Sequence, residues 1–288
     1  GKDGVFSSIF DFKQTCLGQE GKGWFDHSLP TADELKESIF QAHERADRIG
    51  VLSTIIENHD EPRGVSHYIS EGPVNDTSKK ALGTIQVLRK GIPFIYQGQE
   101  IGMENQVFES VEDFDDIATI NGYHVAKEAG LSEEEALAAI AKYSRDNART
   151  PMQWSAEPGL GFSDGSAWLI SPKPDVAINV EDQEKDPNSI LNYYRQLTAL
   201  YRHPLYGNTI RFGDMIPAYR DRENIIAFER RGDKRLLVVS NFQNRQATLE
   251  LPAPIKTVVL NNTAGLFQEG DQVLELAPYQ TVVLELVE

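Results

Sequence analysis

Three short apolar runs separated by two amphipathic segments constrain the fold of this chain more than any other feature. The runs cover residues 5–12, 51–56 and 92–96, and their length and composition are typical of strands in a parallel sheet covered on both faces. Residues 31–47 and 78–90 place apolar side chains on one face of a predicted helix. This order predicts parallel βαβ units, in either an open doubly wound sheet or a barrel.

Local signals support these helices and predict others. Thr31, followed by acidic residues, is a typical N-cap, and Gly91 ends the second helix before the third apolar run. Residues 103–162 are polar and helical in pattern, and Ser132 is a capping-box start for a helix that runs toward Tyr143. We therefore expect a helical subdomain inserted at about residues 103–162.

The last part of the chain has a different pattern. A clear amphipathic helix at residues 189–202 is followed by His203-Pro204, where we place a domain boundary. Short alternating runs then occupy residues 225–230, 235–242, 247–251, 257–260, 272–276 and 281–287. These runs predict an antiparallel β-sandwich. The expected domains are thus residues 1–204 and 205–288.

Charge and composition exclude several classes of partner. The formal net charge of −16 argues against a nucleic-acid partner, which binds a basic surface, whereas a neutral sugar suits such a chain. No apolar run approaches the roughly 18 residues that span a bilayer, so we expect no membrane partner. The single cysteine, Cys16, permits no internal disulfide, is compatible with a reducing compartment, and is expected to lie in the core.

The second apolar run ends in a polar quartet, Glu57-Asn58-His59-Asp60. Parallel α/β architectures place ligand sites at the carboxyl ends of their strands. A carboxylate there stabilises a developing positive charge, and an imidazole donates a hydrogen bond to a substrate hydroxyl. The alternative is an ordinary loop in which Asp60 caps the next helix.

Longer motifs favour the first interpretation. Residues 57–63 (ENHDEPR) resemble the region of the third carboxylate in the oligo-1,6-glucosidase group of the alpha-amylase family. The resemblance continues, in order, through residues 91–102 (GIPFIYQGQEIG), 144–154 (SRDNARTPMQW), 178–181 (INVE) and 186–190 (DPNSI). It covers about residues 5–204, and the C-terminal β domain fits the family less specifically.

The resemblance implies a fold and a set of site residues. The three strands would be strands six to eight of a (β/α)8 TIM barrel, followed by the antiparallel β domain. Asp60 would stabilise the oxocarbenium-like transition state, His59 would contact hydroxyls of the same sugar, and Arg145 would line the glucose pocket. Arg149 is either a further substrate-binding residue or a structural ion pair that anchors the subdomain. No cofactor or metal is implied.

In the resembled family the nucleophile and the acid/base follow strands four and five. Neither position exists in this sequence, so we expect the chain alone to be inactive or incomplete. The parent enzyme would be a cytoplasmic alpha-glucosidase that hydrolyses short alpha-linked glucosides with retention. A partial barrel leaves apolar edges, which predict self-association or pairing with a missing N-terminal half.

Other interpretations remain open at this level. The chain is alternatively a non-catalytic member of the family, such as a transporter subunit, although the Asn58-His59-Asp60 and Arg145 residues argue against it. A carbohydrate-binding module on the C-terminal sandwich is the second alternative. The aromatic residues Trp154, Phe162 and Trp168 either stack on sugar or pack their own loop. The linkage is not readable, because oligo-1,6-glucosidase, dextran glucosidase, trehalose-6-phosphate hydrolase and sucrose isomerase relatives share these segments.

Overall fold

The computed structural model describes residues 5–47, 49–169, 175–265 and 267–287. Within these residues a small parallel sheet and its helices precede a helical segment and an antiparallel β region. The helices are α1 Ala32–Ala46, α2 Gly64–Tyr68, α3 Asp76–Leu88, α4 Ile117–Glu128, α5 Glu133–Tyr143, α6 Val180–Lys185, α7 Ile190–Leu200 and α8 Gly207–Phe212. The strands are β1 Ile9–Phe10, β2 Leu52–Thr54, β3 Ile92–Pro93, β4 Asp214–Ala218, β5 Ile225–Arg231, β6 Arg235–Asn241, β7 Ala247–Glu250, β8 Ile255–Asn261, β9 Val273–Leu276 and β10 Thr281–Leu286.

The three predicted apolar runs form one parallel sheet in the order β1-β2-β3. Ile9 lies opposite Leu52, and Ser53 lies opposite Ile92. The prediction that the first run is a buried strand is wrong, because only two of its residues form a strand, and Ile9 and Phe10 are 58% and 41% exposed. The physical reason is that consecutive side chains of a strand point to opposite faces, and the described part of the chain leaves both faces of β1 partly uncovered.

Side-chain N-caps determine where the two helices that flank the sheet begin. The side chain of Thr31 accepts a hydrogen bond from the Glu34 amide, and Glu34 accepts one from the Thr31 amide. This capping box starts α1 as predicted. Helix α3 begins two residues earlier than predicted, because the Asn75 side chain accepts from the amides of Thr77 and Ser78.

The antiparallel region has two layers. A five-stranded sheet in the order β4-β5-β6-β10-β8 packs against a two-stranded sheet formed by β7 and β9. Between them lies an apolar cluster to which both sheets contribute, including Ala227, Leu237 and Leu284 from the larger sheet and Leu249 and Leu274 from the smaller one. The predicted antiparallel β region is confirmed, with β4 as an additional strand.

The other face of the five-stranded sheet belongs to the core of the helices. One buried cluster joins Leu35 of α1 and Leu82 of α3 to Ile226, Val238 and Val283 of the sheet. Alternate residues of a strand point to opposite faces, which explains why Ile226 faces the helices while Ala227 faces the small sheet. The two predicted domains therefore share a core instead of having separate ones.

The polar segment between residues 103 and 162 contains the predicted helix. Ser132 accepts from the Glu135 amide and starts α5, as expected from its capping box. Helices α4 and α5 pack together, and Phe108, Phe114 and Ile140 form a small buried cluster there. Cys16 is exposed, so its predicted place in the core is wrong: it ends a short 3-10 turn on the surface.

A buried histidine lies where α2 meets the end of α5. His67 is 6% exposed, and neither of its ring nitrogens has a hydrogen-bond partner. Its ring lies near those of Tyr68 and Tyr143, at centroid distances of 4.7 and 6.4 Å. Burial, with a smaller contribution from the positive charge of Lys142, lowers the pKa of His67 to about 4. The ring is therefore neutral at pH 7.

This burial predicts a specific loss of stability in acid. The unfolded chain binds a proton at His67 below its ordinary pKa of about 6.5, whereas the folded chain does not until about pH 4. The contribution of His67 is complete above pH 6.5 and falls by roughly 3 kcal/mol as the pH drops to 4. Urea unfolding at pH 7, 5.5 and 4 should therefore show a shallower acid loss for His67→Phe than for the wild type.

The exposed His124 provides the matched control. His124→Gln should follow the wild-type pH dependence, because the replaced side chain lies on the surface and not in the core. Equal pH dependence of wild type and His67→Phe would contradict the assignment.

Candidate active site

The candidate site lies at the carboxyl end of β2. After Thr54 the chain remains buried through Glu57 and then emerges, so that His59 and Asp60 stand in solvent contact at the end of the sheet. The alternative in which Asp60 caps the next helix is wrong: the residue preceding α2 is Arg63, which makes no side-chain cap. The side chain of Asp60 is free to face elsewhere.

Two arginines from the segment after α5 bind the Asp60 carboxylate. Asp60 Oδ1 accepts hydrogen bonds from Arg145 Nη1 at 2.9 Å and from Arg149 Nη2 at 3.3 Å. Its other oxygen, Oδ2, lies 3.1 Å from Nε2 of His59. The four residues named from the sequence, Asp60, His59, Arg145 and Arg149, thus meet in one cluster.

Arg145 is held by a second, buried carboxylate. Its Nε donates to Asp116 Oδ1 at 2.7 Å, and its Nη2 lies 2.6 Å from the same oxygen. Burial acts to raise the pKa of Asp116, but hydrogen bonds from Arg145 and from Thr119 outweigh it and lower the pKa. The Asp116 carboxylate in turn raises the pKa of Arg145. Both groups are therefore charged, and the guanidinium is fixed between two acids.

Arg149 is held in a comparable way. Its Nε donates to the backbone carbonyl of His59 at 2.9 Å, and its Nη1 lies 3.5 Å from Oδ1 of the fully buried Asp146. Asp146 Oδ2 accepts from the backbone amides of Asp115 and Asp116, both at 2.9 Å. One buried carboxylate thus orders both Arg149 and the backbone that carries the partner of Arg145.

A buried ion pair connects the end of β2 to the segment after β3. Glu57 and Arg63, each about 1% exposed, are 3.0 Å apart, and Arg63 also donates to the carbonyl of Gln97 after β3. Gly98 has φ of +89°, and a Cβ there would lie 2.4 Å from the Met103 sulfur and 3.0 Å from Arg63 Nη1. Glycine is therefore required at this position for the arginine to pack.

A cavity of about 230 Å³ opens beside the cluster. Its lining combines aromatic and apolar side chains at or just after the ends of the three strands with the polar quartet that follows β2. The rings of Phe10 and Phe94 approach to a centroid distance of 4.9 Å across the sheet. An apolar hollow with a few polar groups on one side is the usual form of a small-molecule site.

Sequence reasoning missed three acids that shape this site. Asp116 and Asp146 were not singled out, although Asp146 lies inside the 144–154 motif. Glu61 follows Asp60 directly, and burial, reinforced by the charge of Asp60, raises its pKa to about 7. An adjacent carboxyl group that is half protonated near neutral pH adds less negative charge than its sequence implies.

The charges of the cluster favour a cation. Asp60, Asp116 and Asp146 face Arg145 and Arg149, which leaves one formal negative charge when His59 is neutral. Because Asp116 and Asp146 are buried, that charge is presented to solvent by Asp60, whose side chain is 51% exposed. The described residues contain no group of three or more His, Cys, Asp or Glu side chains arranged to hold a metal ion.

Comparison with known proteins shows the family of this chain. The alpha-amylase catalytic domain model matches residues 4–205, and the model of the alpha-amylase SusG C-terminal domain matches residues 225–283. The chain belongs to the alpha-amylase family. The site described above therefore lies in the part of this family member that corresponds to the catalytic domain.

Individual relatives are similar over nearly the whole chain. The probable oligo-1,6-glucosidase 2 of Bacillus subtilis (strain 168) is 36% identical over 249 residues, which are 85% of this chain and 44% of the relative. The glucan 1,6-alpha-glucosidase of Streptococcus pneumoniae serotype 4 is 36% identical over 98% of this chain and 52% of its own length. The structure of Bacillus licheniformis trehalose-6-phosphate hydrolase matches with a TM-score of 0.88 and 32% identity, over 98% of this chain and 51% of the hydrolase.

This alpha-amylase family chain thus spans about half the length of the curated relatives that it matches. The similar structures combine a TIM barrel with a C-terminal antiparallel β domain. By name, the two curated relatives described above are glucosidases, one of the oligo-1,6 type and one that acts on 1,6-linked glucan. Across the described ranges, no helix is both long and apolar enough to cross a bilayer.

The buried position of Asp116 predicts the cost of neutralising it. Asp116→Asn keeps an oxygen that caps α4 through Thr119 but leaves Arg145 without its buried counter-ion. Because Arg145 itself is 35% exposed, solvent offsets part of the loss, and we expect the free energy of unfolding in urea to fall by about 2 kcal/mol.

An exposed ion pair of similar length is the control. Glu184 and Arg195 are 2.7 Å apart and each is 54% exposed, so Glu184→Gln should change the free energy of unfolding by about 0.5 kcal/mol or less. Equal, small losses in the two variants would show that the Asp116–Arg145 pair does not anchor the site.

Proposed function

We propose that this chain carries part of the active site of a retaining alpha-glucosidase that hydrolyses short alpha-linked glucosides in the cytoplasm. The observation that carries the proposal is the Asp60 carboxylate, held by Arg145 and Arg149 at the carboxyl end of β2 beside an apolar cavity, in a chain of the alpha-amylase family. No cofactor or metal enters the proposed mechanism.

In this proposal Asp60 stabilises the transition state. Cleavage of a glycosidic bond passes through an oxocarbenium-like sugar that carries developing positive charge. A preorganised negative charge stabilises that species more than the neutral substrate, which is the requirement for catalysis. The two arginines keep the carboxylate in one orientation, so little reorganisation is needed when the charge develops.

The neighbouring residues have distinct proposed roles. His59 is 72% exposed and presents its ring beside Asp60, where it contacts hydroxyls of the same sugar. Arg145 is 35% exposed and lines the pocket for the terminal glucose. Arg149 is only 16% exposed and is bound to the His59 carbonyl, which favours a structural role that positions Asp60, in addition to or instead of direct contact with sugar.

The nucleophile and the acid/base are proposed to come from outside these 288 residues. A retaining mechanism needs two carboxyl groups about 5–5.5 Å apart across the scissile bond. Two acids of the cluster, Asp116 and Asp146, are already engaged as buried partners of the arginines. Both carboxylates are buried and bound to guanidinium groups, so they are unsuited to attack a sugar.

We propose that β1, β2 and β3 are strands six to eight of a (β/α)8 barrel, in a domain formed by residues 1–204. Several apolar side chains of the sheet are exposed, among them Phe10, Phe12 and Phe94 at 41%, 52% and 47%. An exposed patch of this kind, flanked by two edge strands, pairs with further strands. The occupant is the remaining half of the barrel, and self-association of the chain is the second possibility.

A non-catalytic role in the same family is the alternative. A relative that uses the fold only for interaction has no need of a solvent-facing carboxylate fixed by two arginines. The C-terminal sheets offer a weaker case for sugar binding, because three aromatic residues of this region, Phe228, Phe242 and Tyr279, are buried. The enzyme interpretation is therefore favoured.

The test is hydrolysis of p-nitrophenyl alpha-glucoside and of isomaltose. The chain is assayed alone, and fused behind the N-terminal half of the Bacillus subtilis relative that completes the barrel. We expect hydrolysis only by the fusion, with loss of at least about a hundredfold in Asp60→Asn, because an electrostatic stabiliser of this kind contributes on the order of 10²–10³ in rate.

Asp221→Asn is the matched control, since Asp221 is an exposed aspartate outside the cluster. This variant should retain full activity. Hydrolysis by the chain alone would contradict the external nucleophile and acid/base, and a folded but inactive fusion would favour the non-catalytic alternative. Rates with isomaltose, dextran oligomers, trehalose-6-phosphate and sucrose would then define the linkage.

A further inference from the structure

One buried arginine of this chain has no acidic partner among the described residues. Arg89, directly after α3, is 7% exposed. Its terminal nitrogens donate to the side-chain oxygen of Gln14 at 2.7 Å and to the carbonyl of Ile55 at 2.9 Å. Both acceptors are uncharged, so the guanidinium is hydrogen-bonded without being neutralised. The buried Arg63, by contrast, contacts the carboxylate of Glu57 at 3.0 Å.

The charge of Arg89 persists at neutral pH in spite of its burial. Burial lowers the pKa of Arg89 to about 10, and the smaller effects of Tyr68, Asp11 and Tyr201 act in the opposite direction. The guanidinium is therefore protonated at pH 7. A buried charge that has no counter-charge destabilises a fold strongly, because its hydration is lost and nothing replaces it.

Two buried donors lack an acceptor at the same place. In the part of the chain that the structure describes, neither Nε of Arg89 nor Nε2 of Gln14 has a hydrogen-bond partner. Both residues line a cavity of about 20 Å³, which holds one particle of about the size of a water molecule. Ser53 and Thr54, which also line it, are 6% and 4% exposed. The cavity is thus small, polar and bordered by unsatisfied donors.

The cavity lies between the parallel sheet and its neighbours. Its lining comes from the turn after β1, from α1, from β2, from the segment after α3 and from β4. All these elements belong to this chain, so the cavity does not depend on strands supplied from outside. The members of the Asp60 cluster are not among its described lining residues, which separates it from the candidate active site.

Three side chains that are charged at pH 7 line the cavity, and two of them are paired with groups that do not line it. Lys90 contacts Asp47 at 2.7 Å, and Asp11 contacts Arg45 at 3.0 Å. Arg89 is the remaining charge. The charges at the cavity therefore favour an occupant that is negative.

A second buried arginine adds positive charge beside Arg89. Arg230 of β5 is 1% exposed and donates to the carbonyls of Leu88 and Gly213, both at 2.8 Å. Burial lowers the pKa of Arg230 to about 10, so this group is also charged at pH 7. Because Leu88 directly precedes Arg89, both guanidinium groups attract an anion at this place.

We propose that this cavity binds one small monovalent anion of the size of chloride. The anion accepts hydrogen bonds from Nε of Arg89 and Nε2 of Gln14 and supplies the missing counter-charge. A water molecule satisfies the same donors but leaves the charge uncompensated, and a polyatomic anion such as phosphate exceeds the volume. The bound anion links the turn after β1 to the segment after α3. This role is structural and is independent of the proposed glucosidase activity.

The test is urea unfolding of the full chain at pH 7 in mixtures of sodium chloride and sodium gluconate at constant total salt. Constant ionic strength removes the effect of general screening, and gluconate is too large for the cavity. We expect the folding equilibrium constant of the wild type to rise about tenfold at about 100 mM chloride, as for a site with a Kd of about 10 mM.

Two variants should lose this response. Arg89→Met removes the charge and its unsatisfied donor. Gln14→Glu keeps the size of the side chain and places a carboxylate where an oxygen already accepts from Arg89, so an internal charge replaces the anion. In both variants the folding equilibrium constant should change less than about twofold between gluconate and chloride. Gln14→Glu provides the test even where Arg89→Met does not fold.

Arg222→Met is the matched control, because Arg222 is exposed and its replacement changes the net charge by the same amount as Arg89→Met. This variant should keep the tenfold response. Absence of the response in the wild type would indicate a buried water in place of an anion and would overturn the inference. Persistence of the response in Gln14→Glu, or its loss in Arg222→Met, would overturn it as well.

Bromide gives a direct view of the site. In crystals of the chain grown in sodium bromide, anomalous scattering at the bromine edge should give a peak between the side chains of Arg89 and Gln14. Peaks on the surface alone would contradict the proposal.

Discussion

The candidate site depends on one carboxylate oxygen that joins two distant parts of the chain. Oδ1 of Asp60, after β2, binds Arg145 and Arg149, which follow α5 some 85 to 89 residues later. Each arginine is fixed from behind by a buried acid, Asp116 or Asp146. Because charged groups on both sides are held by further hydrogen bonds, the exposed carboxylate keeps a defined orientation without a bound ligand.

Buried contacts elsewhere in the fold support the segments that carry Asp60 and the two arginines. The buried Glu57–Arg63 pair connects the end of β2 to the loop after β3. Below it, α1 and α3 pack against the five-stranded sheet in a single core, and Arg230 of that sheet donates to the carbonyl of Leu88 at the end of α3. The β region therefore braces the helices that hold the parallel sheet, so its removal would be expected to loosen the site.

The sequence predicted what local chemistry determines. Thr31 and Ser132 mark helix starts because a capping box is formed by neighbours in the chain. The strand β4 was missed because Asp214 and Pro217 are poor strand formers, and its place is determined by pairing with β5. The exposure of Ile9 and Phe10 was not predictable either, since burial depends on what covers a strand and not on its composition.

For the site, motif resemblance identified Asp60, His59, Arg145 and Arg149, and the structure brings them together. Asp116 and Asp146 escaped notice because their contacts with arginines and amides join residues up to 31 positions apart, or arise from a 3-10 turn that spacing alone does not reveal. Glu61 was missed because its raised pKa results from burial.

The central claim is that Asp60 presents a fixed negative charge to a cationic sugar. It is tested most directly by calorimetric binding of 1-deoxynojirimycin, a glucose analogue with a protonated ring nitrogen, and of glucose to the chain. The account predicts that the wild type prefers the cation by about tenfold or more and that Asp60→Asn loses this preference. An unchanged preference in Asp60→Asn would contradict it.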